Sequence, residues 1–243
     1  MHRLFYLFLG LSWNLYACEM RVRIYPFEPL ARFEHGQWSG MDADYTTALL
    51  GEIGCKPAYV NAPWARGLKL LRQGDVDMMI NMSRTRERED FAYFIGPQRI
   101  ESHVLALAPD KSVEDWESLL RSPYLLGIQR GIVLGPEFER LRRHSGRFSG
   151  QLIYVANNDN KLDLLKKGRI QGVIEHKVYF RYQQKLGTAY SALKIQPLDL
   201  LSEPVYFALS RKSVSQARFN QLSAAFKKLK SEGRFKRIEE KYQ

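Results

Sequence analysis

The sequence predicts an α/β protein of two lobes, each a mainly parallel sheet flanked by helices. Three observations carry that expectation. The 243 residues are 45% apolar and 26% charged, the balance of a globular chain with room for about two domains. From Arg21 onward, short apolar runs alternate with amphipathic stretches, and the alternation restarts near His103. No run of 18 uncharged apolar residues occurs, which excludes a polytopic membrane protein.

Met1-His2-Arg3 is positively charged and precedes an apolar run from Leu4 to Tyr16, ending in the small residue Ala17. Such a run is too short to span a bilayer and suits a secretory signal, so residues 1–17 are expected to be removed on export. An uncleaved anchor is the alternative, without a stop-transfer flank to support it. In an oxidising compartment Cys18 and Cys55 are expected to pair. Leu15-Tyr16-Ala17-Cys18 also resembles a lipoprotein signal with Cys18 acylated, but the bulky Tyr16 favours the disulfide. Two cysteines without a nearby histidine pair make no zinc site.

Arg21–Tyr25 reads as a strand, and Asp42 as the N-cap of a helix carrying Tyr45, Leu49 and Ile53. Pro57–Asn61 is a second strand. Trp64–Arg72 follows as a helix that Gly74 stops, then Val76–Ile80 as a continuous apolar strand covered on both faces. This βαβαβ order implies right-handed crossovers and a ligand crevice at the carboxyl ends of the strands. In the restart, His103–Ala108, Tyr124–Gln129, Leu152–Val155 and Gly172–Glu175 read as strands, with helices near Glu137–Arg143, Asp159–Lys167 and Lys177–Leu186. Pro109-Asp110-Lys111 is read as the crossing between lobes. Val205–Ser210 is a final strand before two helices, with apolar stripes at Phe219, Leu222, Phe226 and Leu229, then Phe235, Ile238 and Tyr242.

The formal net charge is +11, and residues 211–243 hold ten Lys/Arg against three Asp/Glu. Those basic residues sit off the apolar stripes, as on a solvated face. A nucleic-acid patch would need interleaved aromatics and conflicts with export, so no nucleic-acid partner is expected. Attraction to anionic headgroups or an acidic partner is the remaining alternative.

The chemistry concentrates between Asn81 and Arg88. A strand ends there and a helix starts that Thr85 can cap. Free backbone N–H groups, the hydroxyls of Ser83 and Thr85 and the guanidinium of Arg88 would together bind a carboxylate. The plainer alternative pairs Arg84, Arg86 and Arg88 with Glu87, Glu89 and Asp90 on the surface.

Seven motifs in order resemble the polar amino-acid-binding family of bacterial periplasmic solute-binding proteins, across essentially the whole mature chain. They are Trp38-Ser39-Gly40-Met41-Asp42-Ala43-Asp44, Gly74-Asp75-Val76-Asp77, Ser83 to Arg88 with Phe91–Pro97, Gly127-Ile128-Gln129-Arg130-Gly131, Leu164 to Ile170, Pro204–Ser210 and Gly233-Arg234-Phe235. The resemblance implies the periplasmic-binding-protein (Venus-flytrap) fold, with lobe 1 at 18–104 plus 201–243 and lobe 2 at 105–200. It also implies a two-stranded hinge closing on a small polar solute. Delivery would be to the membrane permease of an ABC importer, or to a sensor protein, by a protein acting as a monomer.

Carried over by position, Arg88 resembles the family's carboxylate-binding arginine, with Ser83 and Asn81 as polar neighbours. Phe27 and Trp64 resemble the aromatic walls, with core packing as their competing role; Trp38 and Trp116 are read as structural. Arg66, in a Pro-Trp-x-Arg variant, offers either a second cation for an anionic ligand or a partner for an acid of the other lobe. Arg130 is also counted among the ligand-binding residues. In lobe 2, His176 stands where the family commonly has an acid, with Glu175 one residue early, and Val133 replaces a hydroxyl residue. A standard α-amino acid ligand is therefore in question.

No catalytic or metal motif appears, and no cofactor is expected. The resemblance leaves one enzymatic alternative, a cyclohexadienyl-dehydratase-like elimination with Glu175 as the general acid.

Overall fold

The computed structural model describes residues 18–200 and 202–242. The expected signal segment, 1–17, lies outside the described residues. The chain runs β1 (Cys18–Ile24), β2 (Arg32–Glu34), β3 (Gln37–Ser39), α1 (Met41–Gly51), β4 (Cys55–Asn61), α2 (Trp64–Gln73), β5 (Met78–Ser83), α3 (Arg86–Glu89) and β6 (Ala92–Leu107). It continues through α4 (Trp116–Arg121), β7 (Leu126–Gln129), α5 (Pro136–His144), α6 (Gly146–Gln151), β8 (Leu152–Val155), α7 (Asn158–Lys166), β9 (Gly172–His176) and α8 (Lys177–Lys185). A 3₁₀ turn at Ala189–Ala192, then β10 (Lys194–Ile195), β11 (Ser202–Ser210), α9 (Gln216–Ser231) and α10 (Arg234–Lys241) complete it.

The sheet order is β4-β1-β5-β11-β6-β9-β7-β8, with β10 also on β6. Two parallel sets, β4-β1-β5 and β9-β7-β8, are joined through the antiparallel pair β11 and β6. β6 is shared. Its Ala92–Ser102 stretch pairs with β11 and its His103–Leu107 stretch with β9, so one strand runs through both half-sheets. The register against β11 slips near Gly96-Pro97, where a prolyl nitrogen has no proton for the ladder.

Helices cover both faces of each half, which is why the strands are apolar on both sides. Met78 and Ile80 of β5 pack with Tyr45, Phe207, Phe226 and Phe235 on one face, while Met79 packs with Leu71 and Ala208 on the other. In the second half Leu105 and Leu107 join Phe138 and Phe148, and Val104 and Ala106 join Phe180 and Tyr190. The two stripes expected in the final helices are both buried against the first half, and their lysines and arginines face outward.

Two local expectations are corrected. Asp42 does not cap α1. The N-cap is Gly40, at φ 108°, where a Cβ would lie 2.4 Å from the Leu30 carbonyl oxygen, and the Asp42 carboxylate turns inward instead. Pro109-Asp110-Lys111 is a turn at the far end of β6 and not a crossing, because β6 passes between the halves without interruption some seven residues earlier. Gly74 does stop α2, in the left-handed region at φ 78°.

Cys18 and Cys55 are bonded, and open the parallel pair β1 and β4 in direct register with Cα atoms 4.4 Å apart. The closed loop separates the cysteines by 37 positions. Removing such a constraint costs about 4 kcal/mol on a chain-entropy basis. Reduction, or the pair Cys18→Ala and Cys55→Ala, is expected to lower the melting temperature by several degrees. An unchanged melting curve under dithiothreitol would show that the bridge contributes nothing.

Candidate functional site

A pocket lies between the half-sheets, at the carboxyl ends of β1, β5, β7 and β9. The first half supplies Arg23 and Tyr25 from the end of β1, Phe27 from the loop beyond it, Asp42 from α1, Trp64 from the start of α2, and Asn81, Ser83 and Arg88 around the end of β5. Glu101 and His103 rise from β6. The second half supplies Gln129, Ile132, Val133, Asn158, Lys161, Ile174, Glu175 and His176.

Arg88 is placed by local chemistry. Thr85 caps the short α3, its hydroxyl accepting from the Arg88 backbone N–H. The side chain turns back over the strand end, where Nη1 donates to the Ser83 carbonyl at 2.9 Å. Nη2 reaches across the cleft to the Gly131 carbonyl at 3.1 Å, and Nε1 of Trp64 donates to the same oxygen at 3.0 Å. Arg88 is 5% exposed, its burial lowering the guanidinium to about 10. It carries no ion pair among the described residues, so the surface-pairing alternative does not hold for it; Arg84 does pair with Glu89, and Glu87 with Arg72.

Asn81 sits at a kink. Its φ of 57° interrupts the alternation of β5 and puts Met82 on the same face as Met79. Its Nδ2 donates to both oxygens of Asp42 at 3.0 Å, and its Oδ1 is buried without a partner. Burial raises Asp42 to about 6, against the pull of Arg99 and Asn81.

Phe27 bridges the halves. Its ring stacks on Tyr179 at 4.6 Å and meets His176 edge-on at 5.6 Å. Just outside, the Tyr182 hydroxyl donates to Glu28 at 2.6 Å and accepts from Arg32 at 3.1 Å. Both aromatic walls line the pocket and also pack against core clusters, so the two roles coexist.

In the second half, Glu175 is fully occupied. Its Oε2 takes the buried ammonium of Lys161 and the Tyr190 hydroxyl, the latter at 3.0 Å, and its Oε1 takes the His176 backbone N–H at 2.9 Å. His176 turns toward β6, with Nε2 2.7 Å from Glu101 Oε1. Arg99 is 2.6 Å from the same oxygen. Burial would raise Glu101, but His176 and Arg99 together hold it well below the usual carboxylate range.

Of the residues expected from sequence, Arg88, Ser83, Asn81, Phe27, Trp64, Val133, Glu175 and His176 all line the pocket. Arg66 and Arg130 do not; both are exposed. Two positions along a helix turn a side chain through about 200°, so with Trp64 facing inward Arg66 faces out. Gln129 at the end of β7 points in, and Arg130, the next residue, points away. The sequence reading missed Arg23, Tyr25, Asp42, Glu101, His103, Gln129, Ile132, Asn158, Lys161 and Ile174. Motif position could have indicated Asp42; the others become neighbours only through the sheet register.

Burial and the nearby His176 pull His103 down to about 4, from 6.5. Between those values His103 is protonated to a greater extent in the unfolded chain than in the folded one. The stability from keeping His103 neutral is therefore complete above about pH 6.5 and is lost as pH falls toward 4. Asp42 works in the opposite direction, since the folded chain binds its proton first. His103→Gln is accordingly expected to lose about 2–3 kcal/mol less than wild type on acidification over that window. Identical acid sensitivity in chemical denaturation would assign the titration to other groups.

Residues 20–243 match the family model described as bacterial extracellular solute-binding proteins, family 3. Among similar solved structures is an amino acid ABC transporter substrate-binding protein from Streptococcus pneumoniae bound to L-arginine, at 20% identity, covering 92% of this chain and 93% of that one with a TM-score of 0.75. Another is an ancestral amino acid-binding protein described as a precursor of cyclohexadienyl dehydratase (21% identity, 92% and 95% covered, TM-score 0.73). A third is a histidine kinase sensor domain with similarity to periplasmic binding proteins (17% identity, 92% and 95% covered, TM-score 0.77). No curated protein sequence matches the chain. At these identities the structures establish the shared two-lobed fold. Together with the match over residues 20–243, they show that this chain belongs to the bacterial extracellular solute-binding proteins, family 3.

Proposed function

We propose that the mature chain, freed of residues 1–17, works in the periplasm as a monomer. In this reading it captures a small polar solute bearing a carboxylate, an amino acid or a relative of one, between lobes at 18–104 plus 201–243 and 105–200. The observation that carries the reading is Arg88: a buried guanidinium with no carboxylate of its own, lining the cleft and already touching the opposite half. An incoming carboxylate supplies the missing counter-charge, and closure brings Gly131 onto Arg88 and Trp64. The Cys18–Cys55 bond supports export to an oxidising compartment with Cys18 unacylated. The closed form then delivers its solute to the permease of an ABC importer or to a sensor protein, a reading supported by the likeness to an ABC transporter substrate-binding protein and to a histidine kinase sensor domain.

Against the dehydratase alternative stands the environment of Glu175, whose two oxygens are held by Lys161, Tyr190 and a backbone N–H. A general acid needs an oxygen free to face the leaving group. Incubation with prephenate or arogenate and detection of product would restore that alternative.

Micromolar affinity corresponds to about 8 kcal/mol. A thermal-shift screen with amino acids, dicarboxylates, polyamines and short peptides is expected to raise the melting temperature in a concentration-dependent way for at least one carboxylate. Arg88→Ala should then weaken that solute at least about 100-fold, the cost of a charge-assisted pair, while the fold stays intact. Unchanged affinity would remove Arg88 from the binding role.

A further inference from the structure

Of the lysines and arginines that line the pocket, Lys161 is paired with Glu175, while the pocket carboxylate Glu101 is taken by Arg99 from outside it. Arg23 and Arg88 are left. Arg23 donates through Nε to the Ala62 carbonyl at 2.8 Å, and no ion pair involves it among the described residues. Asp42 is its nearest acidic influence, and that carboxylate is bonded to Asn81.

The seat of Arg23 is built into the fold. Gly67 of α2 leaves the space that the Arg23 stem fills, since a Cβ there would lie 2.9 Å from Cγ and 3.2 Å from Cδ. The guanidinium carbon is 5.8 Å from the Tyr25 ring and 5.3 Å from the Trp64 ring. Arg88 stands 5.9 Å from the Trp64 ring. Two desolvated guanidiniums therefore flank one indole in one pocket. Asn81 and Asn158, both lining it, each keep a buried amide oxygen without a donor.

We propose that the solute carries two anionic groups, one held by Arg88 and the second by the free Nη groups of Arg23, with a hydrogen-bond donor such as an ammonium for the two amide oxygens. An acidic amino acid is the simplest molecule with that pattern. The inference rests on the solute-binding reading above and adds the charge of the solute's side chain. It also separates this pocket from that of the similar protein bound to L-arginine, because a third guanidinium would meet Arg23 with like charge.

Isothermal titration calorimetry on residues 18–243 tests it with L-glutamate against L-glutamine, L-aspartate against L-asparagine, O-phosphoserine against serine, and L-arginine. Wild type is expected to bind an acid at least about ten-fold more tightly than its neutral counterpart, the worth of one charge-assisted contact. O-phosphoserine shows whether the second anion is carboxylate or phosphate. Arg23→Gln should erase the discrimination while neutral counterparts still bind, and Arg88→Gln should abolish both. Glutamine, asparagine or arginine bound as tightly as the acids, or discrimination that survives in Arg23→Gln, overturns the inference and leaves the parent reading intact. No binding of any probe, or full binding by Arg88→Gln, removes the parent reading and this one with it. The wild-type comparison decides the question even if Arg23→Gln fails to fold.

Discussion

Two hydrogen bonds across the cleft converge on a single oxygen. The Gly131 carbonyl, from the loop after β7, accepts from Arg88 and from Trp64, which come from different segments of the opposite half. A carbonyl has two lone pairs, and here both are used across the cleft. The guanidinium that touches the far half also lacks a counter-ion among the described residues, so in the proposed reading charge neutralisation and shutting of the cleft are coupled through one side chain.

Around that contact the pocket handles charge unevenly. On the second half and the shared strand, Lys161–Glu175 and Arg99–Glu101 are ion pairs, with His176 beside Glu101. Removing one member would leave a buried, uncompensated charge, so these groups act as a rigid floor. On the first half the cations are open. Phe27 packs between the halves against Tyr179 and His176.

What could be read in the sequence followed from local rules. Thr85 as a cap, Gly74 as a stop and the stripes of the last two helices depend only on neighbours within a few residues. They stand as expected. Family position brought Asn81, Ser83, Trp64, Val133 and His176 to the same pocket. Arg23 escaped notice because strand β1 alternates Arg21, Val22, Arg23 and Ile24, and alternation does not say which arginine faces water. Arg21 pairs with Asp77 at the surface, while Arg23 is turned inward over Gly67. Glu101 and His103 were equally opaque, since their place depends on where β6 changes partner from β11 to β9. Arg66 stands beside Trp64 in sequence, but the helix rotates it outward.

The final helices bury Phe226, Phe235 and Ile238 against Val22, Tyr45 and Met78, residues that lie more than a hundred positions earlier. The other half draws its packing from a continuous middle stretch between Val104 and Leu200. If the chain is exported amino end first, as proposed above, this sets an order of assembly. The middle unit has all its parts while the outer one still waits for its tail, so the amino-terminal strands must stay uncommitted, or shielded, until the last thirty or so residues emerge. A chain cut short before α9 would retain one complete half and a partner that cannot seal.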